Sequence, residues 1–173
     1  MTQKLAALVY WFATAWIVIL PLAAMYSLIV FERFRGLAID VIHLPIRWGS
    51  VAPWQWYGLW LSTLAYLMVG YVGVIYLRKA FASFAQGQWF DAENSRYLRV
   101  FSVLLITQAV AKPLHQGVMS VLLSWNHPPG EKMLSIALGS NELALFLGGV
   151  VMWVMSDLLV AGIRADAENR QFV

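Results

Sequence analysis

Four polar side chains interrupt an otherwise apolar stretch at Gln108, Lys112, His115 and Gln116. Their spacing of i, i+4, i+7 and i+8 places them on one face of a helix. Ionisable groups inside a bilayer are costly and stand as functional candidates by default. Two carboxylates could answer them, Glu142 and Asp157, separated by about 60° of helical rotation and so also sharing a face. Counted at 1.5 Å per residue from the expected basic ends of their helices, Lys112 lies roughly 21 Å deep and His115 roughly 25 Å. On the same scale Asp157 lies at roughly 9 Å and Glu142 at roughly 31 Å. That ladder pairs His115 with Glu142 and leaves Lys112 about equally far from both carboxylates. Pro113 releases the carbonyl of Ala109 as a further acceptor. Three readings follow: a buried network tying two helices together, a ligand- or proton-sensing site in which His115 titrates near neutral pH, or part of a transport path.

The elements that must position these groups are membrane helices. Of 173 residues, 61% are hydrophobic and 12% charged, against about 25% charged in an ordinary soluble domain. So little charge cannot coat a water-soluble globule, and so much apolar sequence does not stay disordered. Four spans are expected at about 5–31, 56–77, 98–123 and 140–163, each long enough for the roughly 20 residues a crossing needs. The fold class is therefore an all-α integral membrane bundle of one domain. The first stretch is too long for a signal-peptide core and is expected to be retained, with Pro21 inside it. Period-two alternation over strand-length windows is missing, which argues against a β-barrel.

Lys4, Arg78, Lys79, Arg96, Arg99, Arg164 and Arg170 gather on one side, whereas Arg33, Arg35, Arg47 and Lys132 occupy the other two loops. The positive-inside rule then places both termini, the 78–97 loop and the 164–173 tail in the cytoplasm. Loops 32–55 and 124–139 face outward, the first long enough to lie on the outer leaflet as a cap. Trp48, Trp54, Trp56, Trp89 and Trp125 flank the spans as an aromatic belt does.

A short pattern occurs twice, at Gly87-Gln-Trp-Phe-Asp91-Ala-Glu93-Asn94 and Gly162-Ile-Arg-Ala-Asp166-Ala-Glu168-Asn169. Glycine can end a helix in the left-handed conformation, and aspartate is a good N-cap. Asp91 is expected to open the third span, and Asp166 a short helix in the tail. Both copies fall on the cytoplasmic side. They read either as repeated cap chemistry or as a paired face for a cytoplasmic partner.

The segment from Arg78 through Asp91-Ala-Glu93-Asn94 to Leu98-Arg99 resembles the signature of the bacterial domain-of-unknown-function 2975 proteins. The run Ser156-Asp157-Leu-Leu-Val-Ala-Gly162-Ile-Arg-Ala-Asp166-Ala-Glu168-Asn169 is similar to their final span and tail. The ending Arg170-Gln-Phe-Val173 departs from the acidic-Leu-Thr-Val ending usual there. The resemblance implies a four-helix bacterial inner-membrane protein without a known activity. Many relatives are encoded beside a small helix-turn-helix regulator, which implies a cytoplasmic regulatory partner rather than direct contact with nucleic acid.

Catalysis finds little support. There is no Cys, which excludes thiolate chemistry and disulfides. Phosphate-loop, nucleophile-elbow and zinc-protease motifs are missing too. His43, His127 and Glu131 lack a metal-site spacing, and a single deep histidine cannot ligate haem from two helices. Neither an enzyme nor a cofactor is expected. Gly70, Gly73, Ala144, Gly148 and Gly149 suit close helix packing, within the chain or in a homo-oligomer. The expected role is a non-catalytic sensor or scaffold, and the competing one a small transporter or channel subunit.

Overall fold

The computed structural model describes residues 2–42, 44–89 and 91–169. Five helices follow one another: α1 (Thr2–Ile29), α2 (Phe31–Val41), α3 (Pro53–Ala85), α4 (Ala92–Ser124) and α5 (Ser140–Asn169). A single 3-10 turn, Trp48–Ser50, lies between α2 and α3, and no strand occurs among the described residues. α1, α3, α4 and α5 are each long and apolar enough to cross a membrane. The 33 residues of α3 and of α4 measure about 50 Å each, well beyond the roughly 30 Å of hydrocarbon.

The helices form a row more than a closed ring: α1 packs on α3, α3 on α4, and α4 on α5. The broad flanks are apolar, with Trp11 and Phe12 of α1 and Leu158 of α5 exposed, as lipid-facing surfaces should be. Chain reversal brings Lys4, Arg78, Lys79, Arg96 and Arg99 to one end, the basic end, where both α1 begins and α5 finishes. Arg78 is held there by Thr14 Oγ1 at 2.8 Å and the Tyr10 hydroxyl at 3.0 Å. Trp48, Trp54, Trp56 and Trp125 mark the opposite, tryptophan end.

Two segments expected as loops are structured. Phe31, Phe34, Ala38 and Ile42 recur at helical spacing and pack around the buried Trp56, Leu59 and Leu123; this makes residues 31–41 a helix lying across α3. Phe31 stacks on Tyr57 with centroids 4.8 Å apart, and the Arg35 guanidinium sits 5.1 Å over Trp56. Charged Glu32 and Arg33 face outward, so α2 has the two-sided character of an interfacial helix.

The stretch 131–139 descends in extended form along α4. The Ser124 hydroxyl accepts from the Met133 N–H at 3.0 Å, and the Ser120 hydroxyl accepts from the Ser135 N–H at 2.8 Å. Gly117 completes the groove, since a Cβ there would come 3.3 Å from Ile136 and 3.4 Å from Leu134. Small residues at 117, 120 and 124 thus let a bare backbone lie against a helix and supply it with hydrogen-bond partners, as non-helical chain at membrane depth requires. α5 consequently starts deep in the row instead of at its tryptophan end.

Candidate functional site

The register of α5 against α4 decides which polar groups meet. Near the basic end the Ser156 hydroxyl donates to the Ser95 carbonyl at 2.7 Å, and Arg99 pairs with Asp157 at 2.7 Å. Residue 157 therefore sits level with 99, about five residues nearer the basic end than the sequence count places it, and α5 continues through Gly162 without a break to Asn169. From that anchor Glu142 is fifteen residues along α5 and Lys112 thirteen along α4. Their heights agree to within about 3 Å. Lys112, not His115, forms the ion pair with Glu142. The Glu142 side chain is only 8% exposed, and its second oxygen accepts from the Gly139 N–H at 2.6 Å.

Asp157 is half exposed at the basic end, with Arg99 lying over Trp153. It lies about 22 Å from Glu142 along α5 and takes no part in the deep cluster. Between the two ion pairs the seam is shut: a Cβ on Gly149 would lie 2.7 Å from Ile106 Cγ1 and 3.0 Å from the Ser102 carbonyl.

The polar face of α4 is shared among three neighbours. Gln108 lies against Gly70 of α3, where a Cβ would be 3.6 Å from its amide; its Oε1 is buried without a hydrogen bond. His115 stacks on Tyr66 of α3 with centroids 5.1 Å apart, its Nε2 3.5 Å from the Thr63 hydroxyl. Gln116 donates to the Ser135 hydroxyl at 3.2 Å. One helix face is thus divided: histidine and one glutamine to α3, lysine to α5, the other glutamine to the extended segment. Sequence spacing places these groups on a face, but it carries no record of which partner each will meet.

Two cavities flank the Lys112–Glu142 pair. One, about 360 Å³, is bounded by Val41, Ile42, Leu44 and Met119 on its apolar side and by Tyr66, Lys112, His115 and Gln116 on its polar side. The other, about 670 Å³, opens between α4 and α5 with Glu142 among Val110, Leu114, Leu143 and Phe146.

At the basic end the first Asp-Ala-Glu-Asn copy is a tight turn. Gly87 adopts φ +81°, the left-handed conformation of a helix C-terminus, and its N–H bonds the Phe84 carbonyl at 3.1 Å. Asp91 caps α4 by accepting from the Glu93 N–H at 3.0 Å. Asn94 is fully buried and donates to the Gln88 carbonyl at 2.7 Å. Three of the four residues named as a partner face are therefore spent on the turn itself. Only Glu93 points outward, accepting from the Tyr97 hydroxyl. Asn94→Ala should cost about 1–3 kcal/mol by removing the buried amide that holds the Gln88 carbonyl, while Glu93→Ala should stay within about 0.5 kcal/mol; denaturant melts in detergent check both.

The second copy has a different conformation. Gly162 and Glu168 lie inside continuous helix, with Glu168 exposed, so neither a helix stop at Gly162 nor a new helix at Asp166 occurs. The side chains of Asp166 and Asn169, and residues 170–173, lie outside the described residues.

His127, considered with His43 and Glu131 for zinc, is engaged at both nitrogens. Nε2 accepts from the Arg47 N–H at 3.2 Å and Nδ1 faces the Glu131 carbonyl at 3.2 Å. Glu131 pairs with Arg47 at 2.7 Å, so this trio clamps the two connecting segments at the tryptophan end; His43 lies outside the described residues.

A family model described as a protein of unknown function, DUF2975, matches residues 5–172. No curated protein and no solved structure matches the chain.

Proposed function

We infer, for a chain that belongs to the DUF2975 family of proteins of unknown function, a non-catalytic sensor or scaffold in a bacterial inner membrane, with both termini in the cytoplasm. The observation that carries this reading is the continuity of α5. One helix runs from Glu142, beside two cavities and the Lys112 ion pair, to Asn169 beyond the α3–α4 turn. Since Asp157 is level with Arg99 and α4 begins at Ala92, the last turns of α5 project roughly 8 Å past the start of α4. A shift at Glu142 is therefore felt, without a hinge, at the projecting end. The basic end supports a cytoplasmic setting by the positive-inside rule.

The partner is a small helix-turn-helix regulator, a class suggested by the family resemblance alone. The exposed carboxylates of Glu93 and Glu168 suit a basic partner surface. The shut seam around Gly149 favours this reading over conduction between α4 and α5, since the two ion pairs are separated by packed side chains rather than joined by a wet path.

The test is affinity purification of the full chain from native membranes, with bound proteins identified by mass spectrometry. A DNA-binding regulator that co-purifies, and is lost on Glu93→Lys/Glu168→Lys while the protein stays folded, is the expected result. Recovery of no such regulator, together with solute flux in proteoliposomes, would overturn it in favour of transport.

A further inference from the structure

The guanidinium of Arg78 is fixed in place without being neutralised. Its Nε donates to the Thr14 hydroxyl at 2.8 Å and its Nη2 to the Tyr10 hydroxyl at 3.0 Å, with the Tyr10 ring centroid 4.9 Å away. Thr14 spends its own proton on the Tyr10 carbonyl at 2.8 Å, so both partners of the guanidinium are neutral, accepting oxygens. The ion pairs among the described residues all involve other cations. Arg78 is half-buried, yet its Nη1 has no hydrogen bond among the described residues and, unlike Arg35 Nε, is not sealed from the surface. The Tyr10 hydroxyl, while accepting from Nη2, keeps a proton to give. N–H and O–H donors thus lie side by side around a full positive charge that the chain does not answer.

The height of this charge is that of lipid headgroups. Trp56 and Arg78 lie about 33 Å apart along α3, and the hydrocarbon between two headgroup layers is roughly 30 Å thick. Neither α1 nor α3 contains an Asp or Glu. At the basic end Asp91, Glu93 and Asp157 belong to the α4 and α5 side of the row, spent on the cap, Tyr97 and Arg99. Lys4 and Lys79 add positive charge to α1 and α3. A zwitterionic headgroup would find no carboxylate on these two helices for its ammonium, whereas a phosphate diester brings two oxygens to a guanidinium fork.

The same seam opens further in as an apolar groove of about 320 Å³, with Leu20, Pro21 and Met25 on α1 and Leu64, Met68 and Tyr71 on α3. Tyr10, Thr14, Pro21 and Met25 share one stripe of α1; Leu64, Tyr71 and Arg78, seven residues apart, share one stripe of α3. The near end of the groove, at Leu20 and Tyr71, is about 10 Å from the level of the guanidinium. A free anion has no use for such a groove, but an acyl chain hanging from a headgroup at Arg78 fits it.

We propose that the basic end of the α1–α3 seam binds an anionic phospholipid of the phosphatidylglycerol type. The phosphate oxygens accept from Arg78 Nη1 and the Tyr10 hydroxyl, and one acyl chain follows the seam past Tyr71 to Met68. The lipid balances the Arg78 charge and fastens α1 to α3, its main neighbour. This site does not depend on the sensor reading.

The test is native mass spectrometry of the full chain released from mild detergent, after equal amounts of phosphatidylglycerol and phosphatidylcholine with the same acyl chains are added. Phosphatidylglycerol is expected to stay bound at least fivefold more often than phosphatidylcholine, and an excess of inorganic phosphate is not expected to displace it. Arg78→Gln should bring the two lipids level, whereas Arg33→Gln, which removes the same charge at the tryptophan end, should keep the preference. Met68→Trp, at an exposed wall of the groove, leaves the guanidinium intact. It should lower phosphatidylglycerol retention at least threefold, and it decides the matter where Arg78→Gln does not fold. Equal retention of both lipids by the native chain, a preference unchanged by Arg78→Gln, full retention in Met68→Trp, or displacement by inorganic phosphate would overturn the proposal.

Discussion

Glu142→Lys is expected to abolish accumulation of folded protein, and Lys112→Glu combined with it to restore much of that accumulation. The single change sets two ammonium groups against each other where the native carboxylate is almost covered. Removing one partner of a buried pair is already strongly destabilising because the other charge is left uncompensated; replacing it with a like charge adds repulsion in a poorly screened setting. The second oxygen of Glu142 also caps the Gly139 N–H at the point where extended chain becomes α5, so that the start of the helix is lost together with the pair. Size-exclusion profiles of fluorescent fusions in mild detergent distinguish the cases: aggregate for the single variant, a monodisperse peak for the swap. A normal peak for Glu142→Lys would mean that the ion pair does not hold α5 in register.

Gly149→Leu is the second large effect. A mere Cβ at 149 would meet Ile106 Cγ1 at 2.7 Å, the Ser102 carbonyl at 3.0 Å and the Ile106 nitrogen at 3.1 Å. Two of these three atoms belong to backbone, which cannot rotate away, so the helices must part. Overpacking of this kind costs about 1–3 kcal/mol, and the branched side chain should reach the upper part of that range. Gly148→Leu is the matched control, since nothing lies within 4 Å of a Cβ there. Thermal melts should show a clear loss for Gly149→Leu and little change for its neighbour. The same variant also loosens the seam that separates the two ion pairs, so any solute leak it creates would mark the closed seam as the barrier.

Much of the architecture was legible without coordinates. Four long apolar stretches, few charges and a biased distribution of Lys and Arg sufficed for an all-helical membrane fold, because the cost of exposing charge to hydrocarbon acts residue by residue. Asp91 as the N-cap of α4 was equally legible, since capping involves a side chain and a backbone group only two residues apart. The helix at 31–41 had a readable signal in Phe31, Phe34, Ala38 and Ile42, obscured by its charged outer face.

The pairing of the deep polar groups was not legible. It depends on the offset of α5 along α4, and that offset is set by the extended segment 131–139 lodged against Gly117, Ser120 and Ser124, and by the continuation of α5 past Gly162. That offset brings Glu142 to about the height of both His115 and Lys112, and rotation about α4 then decides between them, turning His115 onto Tyr66 of α3 and Lys112 onto α5.

What the sequence by itself determined about this protein is its solvent, its helices and the inventory of polar groups it takes into the membrane. Only the tertiary structure decided that these groups divide among α3, α5 and an extended segment, with the side chains of His115 and Lys112 lining one cavity. The physical reason is range: solvation and capping are local and follow residue order, whereas helix register emerges from contacts between segments far apart in the chain.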